Sequence, residues 1–165
     1  MNTWKYTQRE SEMNNKPDSA PVGTVTISRH FNATPEQVFD AWLDPDAVGS
    51  WLFASPDGVM KRVELDPQVG GHFVISEQRG DTLAEHFGEF LEIDRPHRLV
   101  FGYNMDRKDK LTVVTVEIVA TEEGCQLTLS HDMDPKWAHM IDLARAGWTT
   151  ILEGLAMVVK SKSLG

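Results

Sequence analysis

Apolar residues change their spacing three times along the chain. In VGTVTISRHF (residues 22–31), Val25, Ile27 and Phe31 fall on one side while Thr24, Thr26 and Ser28 fall on the other. That is the period of a half-buried strand. The next stretch, NATPEQVFDAWLDPDAVGSWL, shifts to helical spacing. Thr34 suits an N-cap, Pro35 the first helical position, and Glu36 and Gln37 the first turn, ahead of an apolar face made by Val38, Phe39, Ala41 and Trp42. Asp44-Pro45 ends that helix and opens a second short one through Val48, Trp51 and Leu52. Trp42 and Trp51 are costly to leave in water, so this connector must pack against something large.

From residue 59 the period returns to two. VMKRVEL, HFVISE, AEHFGEFLEI, RLVFGYN, TVVTVEIV and CQLTLSH alternate in turn, with Gly, Pro and charged turn signals between them, which predicts an antiparallel meander. Phe73 and Ile75 share a face, as do Leu99, Phe101 and Tyr103, and again Cys125, Leu127, Leu129 and His131. In AEHFGEFLEI the sets Phe87/Leu91/Ile93 and Gly88/Phe90 exchange sides, which predicts a bulge at Gly88. Beyond Asp134-Pro135 the spacing becomes helical for good, through Trp137, Met140, Ala144, Trp148, Ile151, Leu155 and Val159. A helix over 135–160 is about 39 Å long. Gly147 and Gly154 each weaken it by about 1 kcal/mol relative to Ala, so close packing or a bend is expected at both.

Strand, two short helices, six strands and a long helix make an α+β domain over residues 22–162. The expected architecture is a curved antiparallel sheet of six to seven strands wrapped around the C-terminal helix, the one element long enough to cover it. The short helices close one end, so Trp42 and Trp51 pack where they meet the long helix and the sheet. Residues 1–21 are polar and aperiodic and read as a flexible tail, with Trp4 and Tyr6 as the residues able to dock on the body or a partner.

Composition narrows the partners. A chain of 165 residues is the size of one domain with one sizeable core. The formal net charge of -9 argues against nucleic acid and anionic membranes, both of which call for a basic face. No apolar run approaches the roughly 20 residues that span a bilayer, and the polar N-terminus lacks the apolar core of a secretory signal. A single cysteine, Cys125, allows no internal disulfide and suits a reducing cytoplasm. Monomer and homodimer both remain open.

Several stretches resemble a known family. FNATPEQVFDAWLDPDAVGSW, VGGHFVI, GEFLEIDRPHRLVF, CQLTLSH and GWTTIL, in that order over about residues 22–160, are similar to motifs of the family named after the activator of the heat-shock-protein-90 ATPase. That family sits in the START-like superfamily with birch-pollen-allergen-like proteins and bacterial polyketide cyclases. One turn departs from its pattern, with Glu123-Gly124-Cys125 in place of the usual Gly-Gly-Thr. The resemblance implies a helix-grip fold with an apolar cavity between sheet and helix. It names no ligand.

Catalytic constellations are scarce. No HExxH, CxxC, GxSxG, GxxxxGK[ST] or GxGxxG occurs, so no metal site and no cofactor is expected. Cys125 has no activating neighbour and reads as a small core residue. His131 follows Leu127 and Leu129 on the inward face, where it is either bonded to a neighbour or a contact for a ligand. The expected cavity lining is Trp51, Phe73, Phe101, Tyr103, His131, Met140, Ala144 and Trp148, with Tyr103 and His131 as polar anchors. The function expected is binding of a small hydrophobic molecule. Two alternatives are a cyclase- or hydrolase-like enzyme using His131 and Glu89, and a chaperone-associated interaction protein.

Overall fold

The computed structural model describes residues 23–106, 110–133 and 135–164. The proposed tail, with Trp4 and Tyr6, lies outside the described residues. Strand β1 (Thr24–Phe31) leads into α1 (Pro35–Ala41) and α2 (Pro45–Val48), and then β2 (Val59–Leu65), β3 (His72–Arg79), β4 (Thr82–Asp94), β5 (Arg98–Asn104), β6 (Thr112–Thr121) and β7 (Gly124–Asp132) follow. A 3-10 turn (Pro135–Met140) enters the last helix, α3 (Ile141–Leu164). All seven strands form one antiparallel sheet in the order β1-β7-β6-β5-β4-β3-β2. This is a helix-grip arrangement, and α1 and α2 carry the chain from one edge of the sheet to the other.

Local chemistry starts each short helix. Thr34 Oγ1 accepts the Gln37 amide at 3.1 Å while Gln37 Oε1 accepts the Thr34 amide at 2.9 Å, a reciprocal capping box ahead of Pro35. Asp44 caps α2 through the Asp46 amide at 2.9 Å. Two details depart from the pattern of the sequence. The helix begins with a 3-10 turn, common at α-helix N-termini, and this leaves Trp137 41% exposed rather than on the inward stripe. The irregularity in β4 falls between Phe90 and Glu92, at exposed Leu91, and not at Gly88. Gly88 has a different purpose. A Cβ there would lie 2.1 Å from the Phe73 ring and 2.4 Å from the Gly102 carbonyl, so only glycine lets Phe73 lie across the strand.

One face of the sheet carries the core. Trp42 and Trp51 meet edge to face with ring centroids 4.7 Å apart, and Phe101 lies 6.1 Å from Trp42. Gly154 of α3 lies close against Trp51, since a Cβ there would sit 3.2 Å from Trp51 Cβ. Leu99, Val114, Val116, Ile118, Leu127, Leu129, Leu152, Leu155 and Val159 complete the core. Cys125 is fully buried among them, and its thiol is pushed up from its ordinary pKa chiefly by burial, so it stays protonated.

Candidate functional site

Toward the start of α3 the core stops being filled. The inward phase of β4 and β5 brings His86 and Tyr103 to the face where Phe73 and Phe101 pack, but one step nearer the end of the sheet. Phe53, in the loop after α2, adopts φ +58°, a rare conformation for a residue with a side chain. Its ring stacks on His86 with centroids 4.1 Å apart and planes 6° from parallel. Tyr103 stands 5.0 Å from Phe53, and Trp148 of α3 stands 5.8 Å from Phe53 and 6.0 Å from Tyr103. These rings wall a cleft of about 480 Å³ that Arg79, Ala144, Gly147 and Ile151 also line. A second cleft of about 370 Å³ shares Tyr103 and Met105 and is otherwise lined by Thr112, His131, Met133, Trp137 and Met140, among others.

His131 is held from both sides. The Trp148 indole N–H donates to His131 Nδ1 at 3.1 Å, and an indole nitrogen can only donate. The imidazole therefore carries its proton on Nε2, which donates to Thr112 Oγ1 at 2.8 Å. The Thr112 hydroxyl in turn donates a hydrogen bond to the Tyr103 carbonyl at 3.1 Å. Burial pushes the His131 pKa down to about 4, so the ring is neutral near pH 7. His86 has the opposite tautomer. Its Nδ1 faces the Ile75 carbonyl at 3.2 Å, an acceptor only, so Nδ1 holds the proton and Nε2 offers a lone pair. Among the described residues nothing bonds to that Nε2. Burial again dominates and brings the His86 pKa down to about 4. Tyr103 is pushed up to about 12 by burial and remains a neutral hydroxyl.

The loop that carries Phe53 is pinned from beneath by a buried charge. Glu77, 1% exposed on β3, accepts from the Ser55 amide at 2.8 Å, the Ser55 hydroxyl at 2.9 Å and Arg79 Nε at 2.6 Å. Burial alone would push this carboxyl up, but Arg79 and Ser55 together hold it below the usual carboxylate range. Arg79 also donates to the Phe53 carbonyl at 3.1 Å, which supports the backbone where φ is positive.

The family model described as Activator of Hsp90 ATPase homolog 1-like protein matches residues 32–160 of this chain. The chain belongs to that family. No curated protein matches the sequence significantly. Among solved structures, a protein from Nitrosomonas europaea is 17% identical, with 89% of this chain and 100% of that chain covered and a TM-score of 0.77. A protein of unknown function from Staphylococcus aureus is 18% identical, with 86% and 96% covered and a TM-score of 0.77. At those identities the likeness is one of fold. An AHSA1-like protein from Aeromonas hydrophila is 26% identical, with 86% and 95% covered and a TM-score of 0.74.

In this AHSA1-like chain the residues expected to line one cavity are distributed over three places. Trp51 is packed in the core, and Phe73 and Phe101 border a void of about 10 Å³, room for one water at most. Tyr103, Ala144 and Trp148 line the larger cleft, while Tyr103, His131 and Met140 line the smaller one. Glu89 is on the opposite face of β4 from His86, with His72 Nε2 3.9 Å away, so it is not brought to His131. The pattern of the sequence did not single out Phe53, His86 or Arg79 as lining residues. For His86 a signal was present: it shares the inward phase with Ala84, Gly88 and Phe90. Among the described residues, no group of three or more His, Cys, Asp or Glu side chains is placed to hold a metal, and no helix is long and apolar enough to cross a membrane.

Proposed function

We propose that this AHSA1-like protein holds a small, mainly hydrophobic molecule in the cleft between the sheet and the start of α3. One observation carries the reading: the larger cleft, about 480 Å³, is walled by the rings of Phe53, His86, Tyr103 and Trp148. That volume lies within the roughly 300–1,000 Å³ typical of ligand sites, which are largely apolar with a few placed polar groups. The walls are also pre-formed, because Glu77 and Arg79 fix the Phe53 loop and His131 holds the Trp148 indole in place. Pre-formed walls spare a ligand the cost of ordering them. The net charge of -9 makes nucleic acid an unsuitable partner, and buried Cys125 suits a cytoplasmic setting. An acid-base role for His131 would first require it to release Trp148 or Thr112.

A thermal-shift screen of lipids, polyketides and aromatic metabolites tests the reading. A ligand at 100 times its dissociation constant stabilises by about 2.7 kcal/mol. Stabilisation by one class of hydrophobic compounds, lost in Trp148→Ala, is expected. A screen in which nothing stabilises the protein up to its solubility limit would overturn it.

A further inference from the structure

The polar groups in the larger cleft restrict what it accepts, and this inference rests on the binding reading above. His86 is 4% exposed and lines the cleft, yet its Nε2 meets no partner among the described residues. Because Nδ1–H is held by the Ile75 carbonyl, the ring presents an acceptor and no donor. A ligand atom seated there must therefore bring a hydrogen. A carboxylate or an ether oxygen would face the lone pair and leave His86 desolvated without a bond, which is the costly arrangement. The cationic group nearby offers no strong pull on an anion. Arg79 is already paired with Glu77 at 2.6 Å and bonded to the Phe53 carbonyl, so the local charge sums to zero. Shape adds a further limit. Gly147 is exposed on α3 and a Cβ built there would meet nothing within 4 Å, so the cleft is open along that side, while the Phe53–His86 stack beside it is made of flat rings that suit a planar molecule.

We infer that the larger cleft selects an uncharged, flat aromatic molecule bearing a hydroxyl or N–H that donates to His86 Nε2. The test uses the full chain and three probes of one shape, namely 2-naphthol, 2-methoxynaphthalene and 2-naphthoate, titrated by calorimetry or by tryptophan fluorescence. The naphthol is expected to bind about tenfold more tightly than the ether, the span of one hydrogen bond, and more tightly than the carboxylate. In His86→Phe, which keeps a ring against Phe53, the naphthol should fall to the affinity of the ether while the ether is unchanged. On unmodified protein, ¹⁵N NMR should show the His86 Nε2 signal moving with naphthol and not with the ether, which decides the matter even if the variant folds poorly. Equal binding of naphthol and ether, or tightest binding of naphthoate, would overturn the donor rule while leaving the binding site intact. Failure of all three to bind at their solubility limits would overturn the donor rule together with the binding reading.

Discussion

Acidification should destabilise this protein through two histidines before its carboxylates take part. His86 and His131 are each 4% exposed, and burial lowers both from an ordinary 6.5 to about 4. His86 also feels Arg79, which lowers it, and Glu77 and the Ile75 carbonyl, which raise it. Between pH 6.5 and 4 the unfolded chain binds protons that the folded chain refuses, so stability is complete above that window, falls as pH drops through it, and levels off below. Going from pH 7 to pH 5 costs about 2 kcal/mol per histidine and about 4 kcal/mol for the pair. Against a total stability on the order of 5–15 kcal/mol, that is a large share. Glu77 acts lower down: its carboxyl is held below the ordinary 4.5, so its contribution is lost only as pH falls beneath that value. Urea denaturation at pH 7 and pH 5 measures the difference directly. His86→Gln and His131→Gln, which keep a donor and an acceptor but cannot charge, should each remove about half of the pH-dependent loss. ¹⁵N NMR should find the proton on Nε2 of His131 and on Nδ1 of His86. Stability equal at the two pH values, or either ring titrating near 6.5, would refute the argument.

Other outcomes follow from single contacts. Trp148 is 2% exposed, so Trp148→Ala should cost about 3–5 kcal/mol by chemical denaturation. Trp148→Phe should cost less and raise the His131 pKa, because Nδ1 loses its donor. Gly147→Ala should add about 1 kcal/mol of stability, since the new methyl meets nothing within 4 Å, yet weaken ligand binding severalfold by filling the cleft wall. An unchanged affinity would show that ligands do not reach that wall. Glu77→Ala leaves the Ser55 amide without its acceptor and the part-exposed Arg79 without its ion pair and should cost about 1–3 kcal/mol, with faster hydrogen exchange at Ser55 reporting release of the Phe53 loop.

What the chain alone determined was set by short-range chemistry. The capping box at Thr34, the Asp44-Pro45 start and the period-two runs each act within a few residues, so the element order and the helix-grip arrangement were legible from the pattern. The inward phase of His131, Tyr103 and Phe101 was legible for the same reason. Periodicity says which side of a strand a residue takes, and it is silent on how far along that side the covering helix fills the space. Phe101 and Tyr103 share a face two residues apart, yet one is sealed among Trp42 and Phe73 and the other borders two clefts. Phe53 precedes the β3–β4 hairpin that carries both Glu77 and His86, and only tertiary packing brings the positive-φ loop onto the buried carboxylate and the imidazole. The cleft is a property of that meeting, because desolvation and hydrogen-bond satisfaction depend on every neighbour at once.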